Sequence, residues 1–244
     1  MGLTWRLRLS YAVGHVLNDL CASVWFTYTL VFFKFGIGIP TSMAGLIILV
    51  GQLVDGLMTP VIGLLSDRFS SQRFRPFGRK IWHLCGSILI IFSFPLIFGP
   101  PLGSSNISTL AKMIYYLPLV AIFQAGWAAV QITHLALINE LSMESSERTL
   151  LTSLRYLFTV LIEFIMLPMV MTSHPLSKCS NSSLSSPSII DFGKDDIPAF
   201  QKLGFTIIGV GGLTMLLFHF GVRKKYFIHN VRPITIGKYR FECI

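Results

Sequence analysis

Among the ionisable side chains inside long apolar runs of this chain, three are the first whose type and position could do chemistry. They are Asp19, Asp55 and Arg155. A charge at mid-membrane costs about 2.5–3.5 kcal/mol on insertion scales, so each of these residues is a candidate for binding. Asp55 could bind a proton or a cation, or it could balance a buried arginine. Arg155 could extend to the membrane surface, or it could hold an anionic group of a solute.

Polar neighbours on the same helix faces extend this set. His15 precedes Asp19 by four residues, which places both side chains on one face of a helix. Such a pair could bind a cation, relay a proton or make a polar contact to another helix. Asn18 adjoins Asp19, and Thr59 follows Asp55 by one helical turn. These neighbours extend the candidate set around Asp19 and Asp55.

Other polar residues within apolar runs are open to two interpretations. Glu163 could pair with a cation or face a cavity. His83 and His134 are interpreted as contacts between helices or residues near the membrane surface, although a histidine can also exchange protons near neutral pH. The sequence alone does not place these three residues beside the first set.

The elements that must position these side chains are membrane helices. The chain is 52% hydrophobic and 13% charged, whereas a soluble domain is about 25% charged. Apolar runs long enough to cross the hydrocarbon must satisfy their backbone groups internally, as helices do. We predict an all-α integral membrane bundle over residues 1–222 and a basic tail over residues 223–244. The six predicted spans cover residues 11–33, 44–65, 81–98, 114–137, 154–171 and 200–220.

Lysine and arginine are concentrated in alternate connections between these spans. The second connection is strongly basic, whereas the first and third carry one lysine each. Because cytosolic loops are enriched in lysine and arginine, we predict that both termini and the even-numbered connections face the cytosol. Two glycosylation sequons, at Asn106 and Asn181, fall in connections predicted on the opposite side, where N-glycans are attached.

Several function classes find no support in the sequence. The chain has no GxSxG, HExxH, P-loop or GxGxxG motif in a suitable context, so we expect neither an enzyme nor a cofactor. The four cysteines are far apart and lack metal-site spacing, so no metal is expected. The net charge of +9 comes from loops rather than from a basic domain, so nucleic acid is not an expected partner. The expected partners are membrane lipid and a small solute.

Three blocks of sequence carry a resemblance to a known family. The segment GLLSDR at residues 63–68, followed by Gly78-Arg79-Lys80, resembles the loop signature of the major facilitator superfamily. Residues 10–19, 55–68 and 140–155 are similar in order and type to the glycoside–pentoside–hexuronide cation symporters of that superfamily. This resemblance implies the N-terminal half of a secondary transporter. In such a transporter, a gating latch would comprise Asp67, Arg68, Gly78 and Arg79.

The resemblance also implies roles for the intramembrane residues. Asp19 and Arg155 match positions that contact substrate, and Asp55 matches a ligand of the coupling cation. Asp19, Asp55 and Arg155 would together line the cavity of such a transporter. Thr59 and Gln131 stand where related symporters carry further acids, so a sodium site of paired carboxylates is not expected. Proton coupling through Asp19 or Asp55, or no coupling, is favoured instead.

A narrower likeness to animal members of the superfamily is carried by stretches such as GQLVDGLMTPVIGLLSDR and FQAGWAAVQITHLALINEL. It implies import of cysteine across a lysosomal or melanosomal membrane, with the plasma membrane as an alternative location. Facilitators enclose their site between two six-helix halves. We therefore expect a second half or a second copy to complete the cavity. The alternatives are a non-transporting membrane protein that pairs with a full transporter, and a lysolipid transporter.

Overall fold

The computed structural model describes residues 3–71, 78–101, 107–173, 193–223, 234–236 and 239–241. Its described part is built from helices that pack side by side. The α-helices are α1 (Trp5–Ala12), α2 (Val16–Val31), α3 (Thr41–Ser71), α4 (Gly78–Ile97), α5 (Thr109–Leu141), α6 (Ser145–Ser173) and α7 (Ile197–Gly221). The predicted all-α membrane fold is confirmed.

The first predicted span is a continuous helical segment with two changes of pitch. A 3₁₀ turn at Val13–His15 joins α1 to α2, and a π-helical turn at Phe32–Gly36 follows α2. A change of pitch disturbs the regular backbone ladder, so nearby carbonyls need other donors. At the 3₁₀ turn, the carbonyls of Tyr11 and Gly14 lie within hydrogen-bond distance of histidine side chains from α5 and α4.

Five helical segments in the described part are long and apolar enough to cross a membrane. They are Trp5–Gly36, Thr41–Arg68, Gly78–Ile97, Thr109–Leu141 and Ile197–Gly221. Their burial differs widely: 61% of the apolar window of α5 is buried inside the bundle, but only 17% of that of α3. Helix α5 is therefore the centre of the bundle, and α3 lies on its outside.

Each predicted span after the first overlaps one helix, and most helices extend beyond the apolar run at one or both ends. Helix α3 continues to Ser71 and α5 begins at Thr109, because polar residues outside the hydrocarbon continue the helix. Helix α6 contains the predicted span 154–171. Within the predicted basic tail, strand β1 (Ile234–Ile236) pairs antiparallel with β2 (Tyr239–Phe241).

Two glycines allow α4 and α5 to pack backbone to backbone. A Cβ atom on Gly86 would lie 2.7 Å from the carbonyl oxygen of Gly126, and a Cβ on Gly126 would lie 2.8 Å from the carbonyl oxygen of Gly86. Small residues at such crossings let membrane helices approach closely. This contact fixes α5 against α4 and thereby places the polar side chains of both helices.

An aromatic core fills the bundle towards the end of the first span, where α2 passes into the π-helical turn. Its rings are fully or almost fully buried and meet at centroid separations of 5.0–5.4 Å in the closer pairs. Offset and edge-to-face ring pairs of this kind stabilise the packing beyond simple burial. The members are Trp25, Phe32, Phe33, Phe94, Phe98, Tyr116, Phe123 and Phe200.

Candidate functional site

The opposite end of the bundle, which we call the basic end, is held by arginine–carboxylate pairs. Arg79 donates to Asp67 Oδ1 and to Glu140 Oε1, each at 2.6 Å. It therefore links the end of α3, the start of α4 and the end of α5. Gly78, which precedes Arg79, has a positive φ of 31°, a conformation that glycine adopts without a Cβ penalty.

The predicted latch is thus brought together in part. Asp67, Gly78 and Arg79 meet, and Glu140 adds an acid that the latch prediction did not include. Arg68 is exposed and makes no hydrogen bond or ion pair within the described ranges. A latch of one arginine between two acids can open when either helix end moves, because neither pair is fully buried.

Two further contacts close the basic end. Arg8 of α1 makes a two-point ion pair with Glu147 of α6. The Lys80 ammonium donates to the carbonyls of His219 and Val222, both at 2.6 Å, at the end of α7. A cation at this position satisfies carbonyls that have no helical donor and suits the negative end of the helix dipole.

Asp19 is the centre of a polar cluster nearer the middle of the bundle. Its Oδ1 lies 2.9 Å from His15 Nδ1, and its Oδ2 accepts a hydrogen bond of 2.7 Å from the Thr159 hydroxyl. The i,i+4 pair expected from the sequence is present, and α6 supplies a partner across the interface. A carboxylate has about four acceptor positions, so Asp19 retains capacity for a donor from a solute.

Helix α5 contributes a second polar contact beside Asp19. The Asn18 side chain donates to the carbonyl oxygen of Trp127 at 3.3 Å, and the Trp127 indole donates to Gln131 Oε1 at 2.8 Å. Asn18 is almost completely buried and its Oδ1 atom has no hydrogen-bond partner. Trp127 therefore contacts both predicted residues, Asn18 through its backbone carbonyl and Gln131 through its indole N–H.

Arg155 lies on α6 one turn before Thr159 and is 8% exposed. Its Nε and one terminal nitrogen are buried without a hydrogen-bond partner, and its guanidinium stacks at 4.8 Å from the centroid of the Tyr156 ring. It is close enough to Tyr11 and His134 to act on both electrostatically. A buried guanidinium with free donors is suited to a carboxylate or phosphate group.

The structure does not join Asp55 and Thr59 to this cluster, so the expected cavity shared by Asp19, Asp55 and Arg155 is not formed in the described part of the chain. Both are half-buried on α3, and neither makes a hydrogen bond or ion pair to another side chain within the part of the chain that is described. The predicted substrate and cation residues therefore fall into two groups: Asn18, Asp19, Gln131 and Arg155 belong to the cluster or its border, while Asp55 and Thr59 lie apart on the outermost helix.

A cavity of about 510 Å³ lies between α2 and α6, and its lining begins at Leu20 and Val160, the residues that follow Asp19 and Thr159. Its size is within the range of small-molecule sites. Ser23 and Glu163 face each other there, with the serine hydroxyl donating to Glu163 Oε1 at 3.3 Å. The lining residues are Leu20, Ala22, Ser23, Val24, Phe26, Thr27, Tyr28, Val160, Glu163 and Phe164.

A comparison with protein families places the sequence among known transporters. A family model described as MFS/sugar transport protein matches residues 10–225. The chain belongs to this MFS/sugar transport family. The resemblance seen in three sequence blocks is confirmed, and the matched region contains the latch and the polar cluster.

Curated relatives agree with the family. The chain is 43% identical over 232 residues to human major facilitator superfamily domain-containing protein 12, covering 93% of this chain and 48% of the relative. The mouse protein of the same name is 42% identical over 225 residues, covering 92% and 47%. An inner membrane symporter of Escherichia coli is 24% identical over 225 residues, covering 91% and 44%. The chain spans about half the length of these relatives.

Two residues of the polar cluster, Thr159 and Trp127, were not predicted from sequence. Arg155, Thr159 and Glu163 repeat every four residues, a stripe that the sequence displayed but that acquires meaning only when α6 packs beside α2. Trp127 gave no signal, because it contributes a backbone carbonyl and an indole donor. The sequons at Asn106 and Asn181 lie outside the described residues.

Proposed function

We propose that the chain forms one six-helix half of a secondary transporter. This transporter would move a small zwitterionic solute, with cysteine as the candidate substrate. The observation that carries this proposal is Arg155, a buried guanidinium with two unpartnered nitrogens, one turn along α6 from the residue that binds Asp19. Arg155 would hold the solute carboxylate and Asp19 its ammonium group. The opposed charges suit an amino acid better than a sugar.

Proton coupling is the second part of the proposal. Asp19 already contacts His15, so a proton and a solute ammonium group would compete for the same carboxylate. Release of the proton to one side would then favour solute binding from that side. Asp55 stays a candidate for a separate proton site, since it is a half-buried carboxylate on a membrane helix. Lysosomal or melanosomal membranes, with cytosolic termini, are the proposed location.

The mostly apolar lining of the cavity supports a lysolipid as a second candidate solute. Leu20, Val24, Phe26 and Phe164 would accommodate an acyl chain. The unpartnered nitrogens of Arg155 would then hold a phosphate from outside this lining. The third alternative, a chain that only pairs with a complete transporter, predicts no solute uptake of its own.

Uptake of radiolabelled cysteine into vesicles containing the chain tests the proposal. Arg155→Gln is expected to raise KM by about tenfold to a hundredfold, because a hydrogen bond to a charged group contributes about 1.5–3 kcal/mol. Arg148→Gln is the matched control, since it removes a positive charge near the start of the same helix, where Arg148 contacts Asn139. An unchanged KM for Arg155→Gln contradicts the proposal, and competition by lysolipid but not by cysteine favours the second candidate.

A further inference from the structure

Four imidazole rings form a continuous series through the bundle. The ring centroids of His15 and His134 are 5.4 Å apart, those of His134 and His83 are 5.8 Å apart, and those of His83 and His219 are 5.2 Å apart. We call this series the histidine chain. It includes every histidine that the structure describes, and its inner members are almost completely buried.

The histidine chain connects the basic end to Asp19. His219 lies two residues before the end of α7, beside the carbonyls that Lys80 binds. His83 lies in the second turn of α4, His134 comes from α5, and His15 comes from the 3₁₀ turn and contacts Asp19. Four separate helical segments thus supply one ring each. The four rings come together only through the tertiary fold.

Hydrogen-bond partners fix the resting tautomers at the basic end. The Nε2 atoms of His134 and His83 lie 2.9 Å and 3.1 Å from the carbonyl oxygens of Tyr11 and Gly14. A carbonyl only accepts, so each Nε2 carries the proton and each Nδ1 of the neutral ring is an acceptor. His83 Nδ1 lies 3.2 Å from His219 Nε2, so His219 is the donor in that pair.

The other end of the histidine chain has two free acceptor positions. His15 Nδ1 donates to the Asp19 carboxylate, which leaves Nε2 as an acceptor in the neutral ring. His15 Nε2 and His134 Nδ1 are both buried without a hydrogen-bond partner, and they belong to adjacent rings. A buried polar atom without a partner costs about 1–3 kcal/mol. A proton added to His15 Nε2 or His134 Nδ1 would turn one of these two unpartnered acceptors into a donor.

We propose that the histidine chain conducts protons between the basic end and Asp19, an inference that rests on the proposed proton-linked transport. His219 gains a proton at Nδ1 and passes its Nε2 proton to His83 Nδ1. His83 passes its Nε2 proton to His134 Nδ1, which gives it to His15 Nε2. His15 then gives its Nδ1 proton to the Asp19 carboxylate, so one proton enters and one carboxyl group forms.

The transfer from His83 to His134 is the controlled step. It requires the hydrogen bond from His83 to the Gly14 carbonyl to break. Gly14 lies in the 3₁₀ turn of the first span, where an added Cβ would come within 2.9 Å of His134 Nε2. A change in the bend of this segment would therefore open or close the path. Proton passage would follow the conformation of the first helix.

Charged groups around the histidine chain give it a direction. Lys80 on α4 acts on His83 and His219, and Arg155 on α6 acts on His134. Both cations repel a proton on the rings, whereas Asp19 attracts one. Tyr11, which stacks on His134 at a centroid distance of 4.2 Å, contributes a neutral ring. The carboxylate is thus the end point of the path.

Vesicles with an imposed pH gradient test the path with two readouts. His134→Gln and His83→Gln retain an N–H donor for the Tyr11 and Gly14 carbonyls but remove the imidazole. We expect proton flux, followed with a pH-sensitive dye, to fall by about tenfold or more. Exchange of cysteine without a gradient should persist. Thr133→Val is the control, because among the described residues the Thr133 hydroxyl is hydrogen-bonded only to the Ala129 carbonyl on its own helix.

Retained proton flux in both histidine variants overturns the proposal, whether or not cysteine exchange is seen. If exchange and flux are both lost, or if the unmodified chain transports nothing, nitrogen NMR of ¹⁵N-histidine-labelled chain decides. A coupling across the His83–His219 hydrogen bond, with protonation of His134 Nδ1 on acidification, supports the path independently of transport. Histidines that keep unchanged, unprotonated tautomers in acid contradict it.

Discussion

At the scale of single residues, two arginines differ in how their charge is matched. Arg79 is placed between two carboxylates, whereas Arg155 is buried with no ion pair in the described part of the chain. Matched charges hold helix ends together, and an unmatched buried guanidinium is costly unless a ligand meets it. We therefore propose that Arg79 belongs to the latch and that Arg155 binds the solute.

The ion pairs of the latch predict the order in which three substitutions lower the free energy of unfolding. Arg79→Gln removes both pairs and is expected to lower the free energy of unfolding by about 1–3 kcal/mol. Asp67→Asn should cost less than about 1 kcal/mol, because the Asp67 side chain is 43% exposed and water screens its pair. Glu140→Gln should fall between them, since its side chain is 25% exposed. Thermal unfolding in detergent checks the order, and a larger loss for Asp67→Asn contradicts it.

Side-chain contacts of the polar cluster were predictable from sequence where both residues lie close together in the chain. The His15–Asp19 pair follows from i,i+4 spacing, and the structure places its atoms 2.9 Å apart. The partners from other helices, Thr159 and Trp127, were not predictable, because nothing in the sequence sets which faces of α2, α5 and α6 meet. Likewise, His83 and His134 were interpreted singly as helix contacts, and their alignment required the fold.

At the scale of elements, α5 is the support on which both polar regions depend. It carries Glu140 of the latch, His134 of the histidine chain and Gln131 beside Trp127. Its position is fixed by the close crossing with α4 at Gly86 and Gly126. Apolar runs predicted that these helices exist, but they did not predict the crossing or the 3₁₀ turn, which depend on side-chain contacts between helices.

The crossing can be tested with one methyl group. Gly86→Ala would place a Cβ 2.7 Å from the Gly126 carbonyl oxygen, a backbone atom that cannot rotate away. We expect a loss of about 1–3 kcal/mol, as for other overpacked sites. Gly45→Ala is the matched control, because no atom lies within 4 Å of its added Cβ. Equal melting temperatures for the two variants in detergent would contradict the role of this crossing.

At the scale of the whole molecule, the bundle presents large apolar side chains outward on several helices. Helix α3 and the described part of α6 present large apolar side chains outward, among them Leu53, Leu57 and Phe164. The open cavity lies on the face formed by α2 and α6. Because facilitators enclose their site between two halves, we expect this face to need a partner half for a closed cavity.

Binding of three related ligands to the purified chain tests the central claim most directly. Isothermal titration calorimetry would compare cysteine with cysteamine, which lacks the carboxylate, and with 3-mercaptopropionate, which lacks the ammonium group. In the unmodified chain, we predict that cysteine binds more tightly than cysteamine by about tenfold or more. Arg155→Gln should abolish this preference but keep the preference for cysteine over 3-mercaptopropionate. Asp19→Asn should abolish the preference for cysteine over 3-mercaptopropionate and keep the preference over cysteamine. Unchanged preferences in both variants would contradict the assignment of Arg155 and Asp19 to the two ends of a zwitterionic solute.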